Sequence, residues 1–532
     1  MISFDQVWFR YGEEQPFVVA GVDLSVASGE LAVIVGPTGS GKSTILSLMS
    51  GLVPHFSGGQ IAGEVLVGDR RISETPPAQL AGLIGYVGQD PQAGFVTERV
   101  EDELAYAMEN LGVEPMAMRR RVEDALDLLD LHELRRAPLR TLSGGQAQRV
   151  AIASVLAAMP QVLILDEPTS ALDPSAAEDV LHGLSRLVHD LDMTVVLAEH
   201  RLERVLPFAE QVLLLDGAGG LRGGPPETIM EDAPLAPPLI ELGRAAGWSP
   251  LPLTVRDARR RSNELISRLA DLPAPASPPE GDLVASLTRS TLSYGSFRAV
   301  DRVSLDLTAG TITALMGRNG AGKSSLLSLL AGTRAPEEGR ARVLGQDPHG
   351  ATPAERICLV GYVPQESYDL LYCQSVDEEC AMADEEHHLD PGTTRALLNE
   401  LVGGLDGAIH PKDLSEGQRL ALALAVVLAP RPALLLLDEP TRGLDYEAKR
   451  ALMVLVKRLA ESGAALVLAT HDVELVAQVA TRALVLAEGE LIADGPAREV
   501  VCHAPAFAPQ VAKVLRPLEL LTVDEVRGAL GR

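Results

Sequence analysis

Gly36-Pro37-Thr38-Gly39-Ser40-Gly41-Lys42-Ser43-Thr44 follows the apolar run Leu31–Val35 and leads into Ile45-Leu46-Ser47-Leu48-Met49. This order reads as a strand, a glycine-rich turn and the start of a helix. The spacing from Gly36 through Gly39 to Gly41-Lys42-Ser43 fits a phosphate-binding loop in the context that such a loop requires. The glycines let the backbone turn tightly, so that successive N–H groups point inward at phosphate oxygens. The helix that follows adds the positive end of its dipole. Lys42 has the reach for the outer phosphates, and the Ser43 hydroxyl suits Mg²⁺. A second copy lies at Gly317-Arg318-Asn319-Gly320-Ala321-Gly322-Lys323-Ser324-Ser325, after Thr311–Met316. Two full matches in one chain exclude chance.

The duplication extends well beyond the loops. Leu142-Ser143-Gly144-Gly145-Gln146 returns as Leu414-Ser415-Glu416-Gly417-Gln418. Leu163-Ile164-Leu165-Asp166-Glu167-Pro168-Thr169 returns as Leu435-Leu436-Leu437-Asp438-Glu439-Pro440-Thr441. Even the tails agree, Leu253-Thr254-Val255 with Leu521-Thr522-Val523, each a capping-box start for a short helix. The expected organisation is therefore a first module over 1–269, a Pro/Ala-rich linker over 270–282 and a second module over 283–532. The proline density of the linker favours extended, semi-rigid chain.

Each copy carries near-continuous apolar strands, such as Val162–Leu165 and Thr194–Ala198. Strands of this kind predict an α/β fold with a parallel sheet covered on both faces by helices. Between Gln89 and Ser143 the chain is polar and helix-prone, which predicts an inserted helical subdomain.

With 532 residues, 46% of them hydrophobic, each module can bury a proper core. The net charge of −27, from 46 basic and 73 acidic residues, argues against nucleic acid as the main partner. The four cysteines have no metal-site spacing and read as thiols of a reducing compartment. No secretory signal opens the chain, and the longest apolar run, Leu420–Ala429, is too short to span a bilayer.

The full motif set resembles the nucleotide-binding domains of ABC ATPases, in two copies over nearly the whole chain. That resemblance implies two tandem P-loop NTPase domains, each a RecA-like parallel-sheet core with an antiparallel β part and an inserted helical subdomain. It implies ATP and Mg²⁺ as the bound species. Asp166 and Asp438 would hold Mg²⁺ together with Ser43, Ser324, Gln89 and Gln365. Glu167 and Glu439 would direct the attacking water, and His200 and His471 match the switch histidine. Thr44 and Ser325 complete the two loops. Tyr11 and Tyr294 resemble the aromatic that stacks on adenine. Ser143, Gly145 and Gln146, with Ser415, Gly417 and Gln418, match the signature that clamps the nucleotide held by the opposite copy. Asp173 and Asp445 match the D-loop at that seam. Glu416 departs from the glycine at position 144, and its charge is expected to weaken ATP at the Lys42 site.

After Gln89, the run Asp90-Pro91-Gln92-Ala93-Gly94-Phe95 continues to Val100-Glu101-Asp102-Glu103-Leu104-Ala105. This segment looks like the energy-coupling factor ATPases, which power import of vitamins and transition-metal ions. The implied partners are integral membrane subunits, a coupling protein and a substrate binder. The chain would then be peripheral at the cytoplasmic face of the cell membrane, with its two halves pairing intramolecularly. Phe95, Val96, Leu370 and Tyr372 would face the coupling helices of those subunits. The alternative is a soluble tandem ABC protein that acts on ribosomes. Such proteins usually carry a long charged helical connector, whereas this linker is short and proline-rich.

Overall fold

The computed structural model describes residues 1–170, 172, 174–269, 281–504 and 507–531. The chain divides into two compact units, Met1–Thr254 and Val255–Arg532.

In the first unit the core sheet runs, in spatial order, Leu221–Gly224, Gln211–Leu215, Leu31–Val35, Thr194–Ala198, Val162–Asp166 and Ile84–Val87. All neighbours are parallel except the first pair, an antiparallel edge. The strand before the phosphate loop and the strand ending at Asp166 are wholly buried. That burial explains their unbroken apolar sequences, because a sheet covered on both faces has no polar side to alternate with. A separate antiparallel sheet is ordered Val19–Val26, Ile2–Arg10, Gln60–Val67 and Arg70–Arg71. Phe4, Phe9, Ile45 and Leu48 join the two sheets and the helix Lys42–Ser50 in one core. The inserted subdomain holds the helices Val100–Asn110, Pro115–Leu128 and Gly144–Ala157.

The second unit repeats the plan. Its core sheet is ordered Val360–Val363, Leu434–Asp438, Ala465–Ala469, Ile312–Met316, Arg482–Ala487 and Glu490–Pro496. Its antiparallel sheet holds Phe297–Thr308, Leu283–Tyr294 and Glu338–Val343. The helices Val376–Glu386, Thr393–Leu401 and Glu416–Leu428 form its subdomain.

The module boundary differs from the sequence expectation. Residues 255–269, expected to close the first copy, group with the second unit. The cause is specific. Arg259 donates from Nε to the Lys513 carbonyl at 3.1 Å, and Ser262 Oγ donates to the Val514 carbonyl at 3.3 Å. The helices Val255–Arg261 and Asn263–Leu269 thereby complete a helical cluster with Gln510–Leu515. The duplicated tail of the second copy does carry the expected capping box, Thr522 with Glu525. Residues 270–280 of the expected linker lie outside the described residues.

Candidate nucleotide sites

Each phosphate loop is shaped by a glycine where no other residue fits. Gly322 has φ +103, and a Cβ there would stand 2.0 Å from the Ala299 carbonyl oxygen. Gly41 has φ +99. These glycines immediately precede the helices Lys42–Ser50 and Lys323–Leu330. The lysines curl back over the loops they follow. Lys42 Nζ donates to the Gly36 and Pro37 carbonyls, both at 3.0 Å. Lys323 Nζ donates to the Gly317 carbonyl at 2.9 Å. Each ammonium is thus held over its loop, and each lysine is buried.

Strand pairing brings the acidic residues alongside. Asp166 ends the strand beside Ala198, and Asp438 ends the strand beside Ala469. Ser43 stands close enough to Asp166, and Ser324 to Asp438, for each hydroxyl to draw the neighbouring carboxyl's pKa down. Burial pushes both aspartates above the usual carboxylate range. A buried carboxylate strained upward, touching a serine hydroxyl, is an oxygen donor set that suits Mg²⁺. Gln365 lines the same cavity as Asp438 and Glu439. Gln89 is exposed two residues beyond Val87, whose strand flanks that of Asp166.

The residues expected to direct water are paired with the expected switch histidines. His200 Nε2 lies 2.9 Å from Glu167 Oε1, and His471 Nδ1 lies 2.8 Å from Glu439 Oε2. Both glutamates have positive φ, 51° and 49°, a conformation uncommon outside glycine. Their N–H groups donate to Ala198 and Ala469, which fixes the backbone against relaxation. Strain of this kind is kept where a side chain must be aimed. Burial raises the Glu439 pKa, but the hydrogen bond from His471 and the charges of His471 and Lys323 outweigh it and hold the group below its ordinary value.

Tyr11 hydroxyl is 3.1 Å from Thr44 Oγ1, so this half-exposed ring stands at the first turn of the phosphate-loop helix. Tyr294 is also half exposed, with the Arg334 guanidinium 5.9 Å from its ring centre. The signature serines cap their own helices. Ser143 Oγ accepts from Gln146 N–H while Gln146 Oε1 accepts from Ser143 N–H, and Ser415 and Gln418 repeat the exchange. Gly145 and Gly417 lie in the first turn of those helices. Asp445 caps the helix Tyr446–Glu461, whereas Asp173 lies outside the described residues.

Glu416 does not stand alone. Its carboxylate meets Arg419 at 2.6 Å, and its Cγ would be 3.0 Å from a Cβ at Gly443, which has φ +69. The first copy has Gly144, Ala147 and Ala171 at these places. The three exchanges form one packed unit, and Arg419 offsets the charge that Glu416 adds.

Sequence reasoning passed over Glu103 and Glu379. Glu103 is buried, and its Oε2 accepts from Val96 N–H, Thr97 N–H and Thr97 Oγ1 at 2.9–3.1 Å. Glu379 accepts in the same way from Tyr372 and Cys373 N–H, at 2.9 and 2.8 Å. Each carboxylate pins the loop after the expected glutamine. Val96 and Tyr372 are thereby presented to solvent, 61% and 75% exposed, while Phe95 and Leu370 are half buried. Replacing Glu103 by alanine strands two backbone donors, and a loss of about 1–3 kcal/mol is expected, read as a lowered denaturation midpoint. Glu103→Gln, which keeps one acceptor, should lose less.

Fold and site together define two tandem P-loop NTPase domains, each with a phosphate loop beside a buried acidic pair. A sequence profile of the ABC transporter family matches residues 19–170 and 300–442. The chain belongs to that family. It is 53% identical, over the full length of both chains, to a Streptomyces avermitilis protein named "Putative ABC transporter ATP-binding protein". A Methanosarcina mazei protein of the same name is 32% identical, over 94% of this chain and 90% of its own. Among solved structures, one titled "RNase-L Inhibitor" aligns with a TM-score of 0.62 at 20% identity, covering 93% of this chain and 91% of that one. An archaeal ribosome recycling factor, solved with a ribosomal stalk protein, aligns with a TM-score of 0.60 at 21% identity, covering 90% and 87%. These two likenesses establish the tandem fold.

Proposed function

We propose that this chain is the ATP-hydrolysing motor of an energy-coupling factor importer, which drives uptake of a vitamin or metal ion through separate membrane subunits. The observation that carries this reading is the segment from Gln89 to Ala105. It resembles the energy-coupling factor ATPases, and Glu103 holds it so that Val96 is turned outward. Among the described residues no helix is long and apolar enough to cross a membrane, so the translocation path would belong to other chains. The chain would sit at the cytoplasmic face of the membrane.

In this reading each ATP lies between one copy's phosphate loop and the other's signature, Lys42 with Ser415 and Lys323 with Ser143. The lysines offset phosphate charge. Glu167 and Glu439 take the proton of the attacking water, each oriented by its histidine. Ser43, Gln89 and Asp166, or Ser324, Gln365 and Asp438, would hold Mg²⁺, which would supply further charge neutralisation on the phosphates. Tighter binding of ATP to the closed pair than to the open one is what moves the partner.

The −27 net charge favours transport over a ribosomal role, because an acidic surface repels the phosphate backbone of RNA. Affinity purification of the chain from native membranes tests the choice. Integral membrane proteins in fixed stoichiometry are expected, and their loss in a Val96→Asp, Tyr372→Asp variant would place the contact. Ribosomal subunits in their stead would overturn the transport reading.

A further inference from the structure

The two switch histidines are held by different polar networks. In the first unit Glu199, just before His200, is 2% exposed. Its Oε2 accepts from Thr169 Oγ1 at 2.6 Å and Thr169 N–H at 3.2 Å. Its Oε1 accepts from the N–H groups of His200 at 3.0 Å and Arg201 at 3.3 Å. Thr169 follows Glu167-Pro168, so one buried carboxylate ties the segment after the hydrolytic glutamate to the main chain of its histidine. Arg204 extends the tie, donating to the carbonyls of Thr169 at 3.2 Å and Leu172 at 3.4 Å. Burial pushes the Glu199 carboxyl up, against the pull of the Thr169 hydroxyl.

In the second unit the equivalent residue is Thr470, whose hydroxyl accepts only from the nearby Asp472 N–H among the bonds described. Among the described residues no carboxylate at this place ties Thr441 to the histidine; Glu439 Oε2 itself accepts from the His471 N–H, at a longer 3.4 Å. Thr441, which matches Thr169, is 2% exposed and its hydroxyl has no hydrogen-bond partner among the described residues. The switch is held from another side, by Asp472 with Lys449 at 2.5 Å. Lys449 lies on the helix capped by Asp445.

We infer that Glu199 is a positioning residue for hydrolysis at the Glu167 site, and that its absence from the second copy makes the two sites hydrolyse ATP at unequal rates, the Glu167 site faster. A general base helps only when its reach to the water is fixed, and small misplacement is costly in rate. The carboxylate bonds Thr169 and the main chain of His200 and Arg201, and among the described residues no hydrogen bond joins it to a phosphate loop, so its effect is expected on kcat and not on KM. The inference rests on the roles proposed above for Glu167 and Glu439.

The test uses steady-state ATP hydrolysis by the full chain, with one glutamate silenced at a time. In a Glu439→Gln background, Glu199→Gln and Thr169→Val are each expected to lower kcat about 10-fold, with KM for ATP within about twofold. In a Glu167→Gln background, Thr441→Val is expected to leave kcat within about twofold, because that hydroxyl has no hydrogen-bond partner among the described residues. Thr169→Val and Thr441→Val are isosteric, so the comparison survives even if Glu199→Gln folds poorly. Equal responses of the two threonine variants, or a shift in KM in place of kcat, would overturn the inference. So would complete loss of turnover in Glu439→Gln alone, since sites that cannot fire singly cannot fire at different rates. Turnover that persists in the Glu167→Gln, Glu439→Gln double variant would overturn the assignment of the glutamates themselves, and the role of Glu199 with it.

Discussion

A chain carrying both Glu167→Gln and Glu439→Gln is expected to bind ATP as the parent does and to hydrolyse it about 10³-fold more slowly, the middle of the range for a positioned general base. The geometry separates the two properties. Each glutamate sits on a backbone held in the left-handed region by a hydrogen bond to the neighbouring strand, and that backbone is unchanged by the substitution. Glutamine keeps the length of the side chain and one acceptor for the histidine 2.8–2.9 Å away. It cannot take a proton from water. The phosphate loops, meanwhile, keep Lys42 and Lys323 over their carbonyls. Phosphate release and equilibrium binding of ATP, measured on the same preparation, check the split. Turnover within tenfold of the parent, or ATP affinity lost alongside activity, would remove the glutamates from the role of base.

Much of this site is legible in the sequence because its parts are contiguous. A strand, a glycine turn and a lysine at fixed spacing specify a phosphate loop before any tertiary contact is known, and the buried strands around it read correctly for the same reason. Fully buried parallel strands leave an unbroken apolar signature ending at Asp166 and Asp438. What stays hidden are bonds from a side chain to distant main chain. Glu199 reaches back 30 residues to Thr169, and nothing in the local run Leu197-Ala198-Glu199-His200 announces it. Glu379 performs the same task as Glu103 although the segment before it, Glu366–Val376, differs in sequence from its counterpart in the first copy. The tail residues 255–269 look like the end of one module by repetition, yet their packing partners belong to the other. Repetition marks where a segment came from in the duplicated pattern. Packing decides where it folds.

Lys323→Ala is expected to raise the dissociation constant for ATP at its own site by about 30- to 1000-fold, because truncating a buried charge that faces an opposite charge costs roughly 2–4 kcal/mol. Lys323 is buried, and the cost does not come from lost protein contacts, since its bonds to Gly317 and Arg318 are to carbonyls that the phosphates would draw it away from. It comes from leaving phosphate charge unmatched in a site where Asp438 and Glu439 are already gathered and buried. Lys323 Nζ is also 3.7 Å from Glu439 Oε1, and its charge is one of the influences that hold Glu439 below the ordinary carboxylate pKa. Removing it lets that pKa rise, so a larger share of the base is protonated at a given pH and the residual hydrolysis should require a more alkaline medium. Lys42→Ala should behave in parallel, and the pair of variants exposes the remaining site in each case. With Arg419 beside Glu416 at 2.6 Å, the two remaining affinities are expected to agree within about threefold, less than one tenfold step of binding free energy. Isothermal titration with ATP and Mg²⁺ measures both. An affinity at the Lys42 site lower by tenfold or more, restored by Glu416→Gly, would mean that Glu416 projects its charge onto the nucleotide in spite of its arginine.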